Sequence, residues 1–268
     1  MKNIVIYANC QGIGISHFLK KSIHIFKNYN INHIRIDDLV FKKNTINYKL
    51  LKRADILIYQ HLDDKHGEDI STNTILKILK SKCKTISFPY IYNNSFYPVK
   101  GPLVIKDSHR CKPCHVIFDN SEAITDLIDK KYTLNEILKL YLENKINFNY
   151  QKRWDYTNNI LQQKEKICDI KILDFIKKNF SKQRLFLLEN HPTSIIFINI
   201  VNQILQKINM SPINLSDYKI NDANLSGGLI PLDDSSNKFF NYEFDIKENN
   251  LEYYKQIITN IYNHYKKI

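Results

Sequence analysis

The chain has 268 residues, 43% hydrophobic and 25% charged, which excludes wholesale disorder and supplies enough length for one sizeable core. A formal net charge of +12 invites an anionic partner such as nucleic acid, an acidic membrane surface or a phosphate-bearing small molecule, although heavy Lys use beside Ile and Asn is also what AT-rich coding produces. Five cysteines at uneven spacing argue against a disulfide framework; with no secretory signal and no apolar run near the roughly 20 residues of a membrane span, a cytoplasmic protein is expected.

Residues 4–8, Ile-Val-Ile-Tyr-Ala, read as an apolar strand running through Asn9-Cys10-Gln11 into a helix that opens at Gly12. In an open α/β sheet, ligands bind outside the carboxyl ends of the strands, and the first strand-to-helix turn commonly faces that crevice. Cys10 is therefore the first residue to suspect, and the N–H groups and dipole of the following helix favour a thiolate there. The plainer reading of Cys10 is a small buried residue at a strand end.

Apolar residues at Ile13, Ile15, Phe18, Leu19, Ile23 and Phe26 predict one helix over 12–27, and residues 31–36 alternate like a strand that ends at Asp37-Asp38. A short helix is expected over 46–53, a buried strand over 54–60, a helix over about 71–82 and a strand over 84–88. This alternation implies a parallel sheet covered on both faces. Gly12-Ile13-Gly14 followed by Asp37-Asp38 partly matches a dinucleotide fingerprint, but His17 stands at the third glycine and Asn9-Cys10-Gln11 fills the turn of the first.

From Asn120 to about residue 180 the pattern is helical and predicts an inserted subdomain. A strand pattern returns at 184–188 and leads through Glu189-Asn190-His191-Pro192-Thr193 into a helix over 194–207; a last helix covers 252–265. The expected organisation is one α/β domain over 1–268, with a helical insertion at about 120–180 and an irregular segment at about 209–250.

Cys10 after the first strand, Gln60 after the third and His191 after a late strand would stand at the carboxyl ends of parallel strands. Acyl transfer needs a nucleophile or acceptor activated by a base, and donors for the developing oxyanion. Cys10, His191, and the Gln60 amide with the Cys10 and Gln11 N–H groups supply those types. Pro192 holds His191 extended and can start the next helix, and Glu189 is the nearest acid. The alternative for His191 is a histidine at a helix start, bonded to the backbone.

The segment 87–98, with Ser87, Tyr90, Asn93, Asn94 and Tyr97, offers groups that stack on a ring or bond to hydroxyls; a packed surface loop is the alternative. Cys111-Lys112-Pro113-Cys114, flanked by His109 and His115, has too few well-spaced ligands for structural zinc, so no metal is expected. Basic pairs such as Lys20-Lys21 and Lys152-Arg153 are scattered. Tyrosines interleave with lysine over 150–156, but no nucleic-acid motif accompanies them, and a small phosphorylated cofactor fits the charge with fewer assumptions.

In order, Tyr7-Ala8-Asn9-Cys10-Gln11, residues 54–60, Phe88-Pro89 through Phe96-Tyr97-Pro98, and Asn190-His191-Pro192-Thr193 resemble the blocks of the WcbI family of polysaccharide-biosynthesis acetyltransferases, over about the first 200 residues. The resemblance implies an α/β three-layer sandwich with a central parallel sheet, SGNH-hydrolase-like or flavodoxin-like. It also implies binding of coenzyme A and acetylation of a sugar hydroxyl in capsule, surface polysaccharide or glycan biosynthesis, with acetyl-CoA as donor and no metal.

Carried over, Cys10 stands where SGNH enzymes hold their serine, Gln60 near their oxyanion-hole asparagine and His191 at their catalytic histidine. Glu189 is the acid candidate, since the usual Asp-x-x-His becomes Leu188-Glu189-Asn190-His191; Ala8 replaces an expected glycine. Asn9, Gln11, Ser87, Tyr90, Asn93, Asn94, Tyr97, Lys152 and Arg153 are the candidate contacts for coenzyme A. Two mechanisms stay open: Cys10 takes the acetyl group as a thioester, or His191 deprotonates a sugar hydroxyl that attacks acetyl-CoA directly. Other readings are an esterase or deacetylase with the same rim, and a non-catalytic basic module for nucleic acid or acidic glycan.

Overall fold

A strand buried on both faces must be apolar at every position, and residues 4–8 and 56–59 are. In the computed structural model these stretches are the central strands β1 (Lys2–Ala8) and β3 (Ile56–Tyr59). The structure describes residues 1–42, 44–101, 118–214, 229–246 and 250–266; the Cys111–Cys114 pair and its flanking histidines lie outside them. Among the described residues a four-stranded, all-parallel sheet runs in the order β2-β1-β3-β4, with β2 at Tyr29–Arg35 and β4 at Lys84–Ser87 on its edges.

Between these strands lie α1 (Gln11–Leu19), α2 (Ile23–Asn28), α3 (Ile36–Val40), α4 (Tyr48–Lys52) and α5 (Thr72–Lys77). Then come α6 (Glu122–Asp129), α7 (Leu134–Leu142), α8 (Tyr150–Glu165), α9 (Leu173–Asn179), β5 (Phe186–Leu188), β6 (His191–Pro192), α10 (Ser194–Lys207), α11 (Asp234–Phe240) and α12 (Asn250–Lys266). Val5, Tyr7, Leu57 and Tyr59 pack on Ile36 and Leu39 of α3, Leu51 of α4 and Ile75 of α5. Alternation turns Ile4, Ile6, Ile56 and Ile58 to the opposite face. There α1 crosses from β1 towards β2 and packs on α10, with the Phe18 and Phe197 rings 6.4 Å apart. A Cβ on Gly14 would come within 2.6 Å of the Phe197 ring, so this helix contact needs glycine.

Two expectations are corrected. The helix predicted over 12–27 is two helices, broken at 20–22, where Ser22 takes an extended conformation as the N-cap of α2. One continuous helix would keep Ile23 and Phe26 as well as Ile25 on the stripe of Ile15, Phe18 and Leu19; after the break only Ile25 is in the core, and Ile23 and Phe26 are exposed. The late strand, expected to extend the parallel sheet, instead pairs antiparallel with β6 in a separate two-stranded ribbon. Glu189 and Asn190 form a two-residue turn that folds the chain back at once, bringing Leu188 opposite His191.

The described chain forms two compact units. One comprises Met1–Tyr92, Asn158–Asn179 and Leu185–Gly228, and carries the sheet; the other comprises Asn93–Thr157, Phe180–Arg184 and Leu229–Ile268. The helical stretch expected as one insertion thus divides: α6, α7 and the first half of α8 belong to the second unit, the rest of α8 and α9 to the first. In the second unit α12 packs on α6 and α7, and Phe96, Trp154, Phe180 and Phe240 form a ring cluster. The segment 209–250, read as irregular, contains α11.

Candidate active site

Strand order β2-β1-β3-β4 sends the chain outward from β1 in one direction and from β3 in the other. The reversal between them is the switch point where an open α/β sheet leaves a crevice at its carboxyl edge. Asn9-Cys10-Gln11 follows β1 and Gln60 follows β3, so sequence order alone puts them at this point.

Hydrogen bonds fix the turn. Asn9 Oδ1 accepts the Gln11 N–H at 2.9 Å, and Gln60 Oε1 accepts the Asn9 N–H at 3.0 Å. Cys10 is the N-cap residue of α1, and its own N–H donates to Asp37 Oδ2 at 3.1 Å. Asp37 Oδ2 also accepts from Arg35 Nη2 at 3.2 Å. The His33 ring sits where a Cβ on Gly12 would be, 2.4 Å from it, with His33 Nε2 3.0 Å from the Ala8 carbonyl.

Gln11 is the hub. Its Oε1 accepts Gln60 Nε2–H at 3.1 Å and the Ile91 N–H at 3.2 Å, while its Nε2 donates to the carbonyls of Ile91 at 2.6 Å and Asn190 at 2.9 Å. The residue after Cys10 is thereby fastened to the residue before His191. His191 Nδ1 lies 2.7 Å from Asn190 Oδ1. An amide oxygen only accepts, so Nδ1 carries the proton and Nε2 is the basic nitrogen.

Tyr90 joins these groups. Its hydroxyl is hydrogen-bonded to the Asn190 side chain, and burial, with the nearby Cys10, pushes it up to about 12. Lys164 of α8 holds its Nζ 4.8 Å from the centre of the Tyr90 ring, and among the described residues no carboxylate pairs with it. Burial lowers the Lys164 ammonium.

The thiolate expected at Cys10 is corrected. Burial and the Asp37 carboxylate push the thiol up, outweighing Arg35 and the backbone N–H groups of Cys10 and Gln11. The proposed oxyanion donors have partners already: Asp37 takes the Cys10 N–H, Asn9 the Gln11 N–H, and Gln60 bonds Asn9 and Gln11. Glu189 is buried, but the group at His191 Nδ1 is the Asn190 amide.

The remaining candidates hold local structure. Ser87 N–H and Oγ–H both donate to Asp169 Oδ2 at 2.9 Å. In the second unit, Asn93 Oδ1 accepts the Ser95 N–H at 3.0 Å and Asn94 Nδ2 donates to Asn120 Oδ1 at 3.1 Å. Arg153 donates to the carbonyls of Tyr97 at 2.7 Å and Phe148 at 2.6 Å, and Tyr97 is buried; Lys152 is exposed. The candidate contacts therefore split, with Asn9, Gln11, Ser87 and Tyr90 in one unit and Asn93, Asn94, Tyr97, Lys152 and Arg153 in the other. Sequence reasoning missed Arg35, Asp37 and Lys164 as members of the site. Asp37 had a positional signal at the end of the second strand, whereas nothing along α8 distinguishes Lys164.

Among the described residues no group of three or more His, Cys, Asp or Glu is placed to hold a metal, and no helix is long and apolar enough to cross a membrane.

The fold and rim define an α/β protein with a cysteine at the switch-point turn, tied through one glutamine to an amide-oriented histidine. The family model of the polysaccharide biosynthesis enzyme WcbI matches residues 3–213, and the chain belongs to this family of polysaccharide biosynthesis enzymes. A solved structure of WcbI superposes with a TM-score of 0.69 over 98% of this chain and 94% of its own, at 15% identity, a likeness of fold. That structure is described as the native protein without a disulfide bond between coenzyme A and one of its cysteines. No curated protein matches the sequence significantly.

Proposed function

We propose that this protein is a coenzyme A-dependent acetyltransferase that moves the acetyl group of acetyl-CoA to a sugar hydroxyl in capsule, surface polysaccharide or glycan biosynthesis, on an SGNH-like three-layer scaffold in the cytoplasm. The observation that carries the reading is the Gln11 tie between the Cys10 turn and the Asn190–His191 turn. Family membership and the naming of coenzyme A with the WcbI structure support it. So does Lys164: a cation partly withdrawn from water, laid on the Tyr90 ring with its Nζ 3.5 Å from the Tyr90 carbonyl and with no carboxylate partner among the described residues, suits a phosphate of the donor.

In this reading His191 Nε2 removes the proton from the acceptor hydroxyl, whose oxygen attacks the acetyl carbonyl. The carbon–sulfur bond breaks, and the same nitrogen returns the proton to the departing sulfur. Asn190 keeps His191 in the tautomer that can do both. Cys10, held as a thiol by burial and Asp37, acts as a hydrogen-bond donor beside the reacting carbonyl and forms no thioester; this favours direct transfer over the covalent route.

The test is incubation with radiolabelled acetyl-CoA and a panel of nucleotide sugars and glycans. Label moving to a sugar, and not doing so in His191→Ala, is expected. Label released only as acetate would replace this reading with the esterase, and label left wholly in the donor with every acceptor would overturn it.

A further inference from the structure

We infer that Gln11 is the positioning residue that holds His191 in register with Cys10. A carboxamide offers two N–H donors and two acceptor lone pairs. Gln11 uses all four, on Gln60, on both backbone groups of Ile91 and on the Asn190 carbonyl, and its exposure is 3%. No hydrogen-bonding capacity is left for a ligand, so its contribution is to geometry.

Among the described residues β5 and β6 are not laddered to the parallel sheet, so main-chain pairing alone does not set this register. Main-chain pairing places Cys10, at the end of β1, and Gln60, at the end of β3, whereas the Asn190–His191 turn is placed by the packing of α10 on α1 and by side-chain ties. Gln11 supplies one directly. Its other bonds fix the segment around Ile91, next to Tyr90, which itself bonds Asn190.

This inference rests on the pairing of Cys10 with His191 in the proposed function, and its test uses no donor or acceptor, so the two fail separately. Alkylation of Cys10 by iodoacetamide is followed by mass spectrometry across pH in the wild type, H191Q, Q11E and the double variant. The Q11E carboxylate keeps the size of the Gln11 carboxamide but cannot donate, and at neutral pH it repels the carbonyls of Ile91 and Asn190.

Removing the basic nitrogen in H191Q is expected to lower the rate near neutral pH by roughly tenfold or more. Q11E should reproduce that profile although His191 is present, and the double variant should be no slower than H191Q. A residue serving only the fold would act additively with H191Q. If Q11E does not fold, Q11N, one methylene shorter, is read in the same way. A wild-type profile in the folded Gln11 variant, additive losses, or no difference between wild type and H191Q would overturn the inference.

Discussion

At the β1 rim the buried hub is a pair of neutral carboxamides, Gln11 and Gln60, whereas at the start of α11 the buried polar atoms surround a carboxylate. Asp233 is 1% exposed, accepts the Ser236 N–H at 2.8 Å as the cap of α11, and accepts from Ser235 Oγ at 2.7 Å, Tyr141 Oη at 3.3 Å and Tyr150 Oη at 3.4 Å. Burial raises the Asp233 carboxyl and pushes the Tyr150 phenol well above its ordinary range. The Asp233 knot joins α7, α8 and α11 within the second unit, and its strength depends on the protonation state of a buried carboxyl. The described bonds of Gln11 and Gln60 involve only carboxamides and backbone groups, so their geometry does not depend on the proton that His191 takes and returns in the proposed reaction. Stability and proton chemistry are thus assigned to different residues.

The contrast breaks most visibly in activity. His191→Ala should lower acetyl transfer about 10²–10⁴-fold at nearly unchanged melting temperature, and Cys10→Ala should lower it by a smaller factor. The reverse order in steady-state rates would restore Cys10 as the nucleophile.

Asp233→Ala should remove about 3 kcal/mol of stability, read by urea denaturation, because several donors lose a buried partner together. Asp233→Asn sharpens the point. With its carboxyl pKa raised on folding, the native state holds that proton to higher pH than the unfolded chain. Its contribution is fullest below the ordinary carboxylate range and declines as pH rises through the raised value. Asn at this position should flatten that decline in melting temperature against pH; an unchanged slope would place the titrating group elsewhere.

The smallest effect is electrostatic. Asp37→Asn removes the negative charge beside Cys10, so alkylation of the thiol should begin at lower pH than in the wild type. An unchanged onset would leave burial as the sole cause of the raised thiol.

Much of the first unit was legible because its signals are local. The apolar runs of β1 and β3 mark strands covered on both faces, and Asn9-Cys10-Gln11 between strand and helix marks a rim turn. The roles of Gln11 and Gln60 were not legible. A carboxamide in sequence looks the same whether it meets a ligand or a backbone, and the partners of Gln11 lie 80 and 179 residues away. Three apolar residues at 186–188 cannot say which strand they will join, so β5 was misplaced. Arg153 gave a misleading signal, since a basic residue that satisfies buried carbonyls reads like one that waits for a phosphate.

The central claim, that this rim takes coenzyme A, is tested most directly by calorimetric titration of the wild type and Lys164→Gln with coenzyme A at near-physiological salt. Saturable one-to-one binding to the wild type in the micromolar range, weakened about 3–10-fold in the variant, is the predicted result. No saturable binding to the wild type would contradict it.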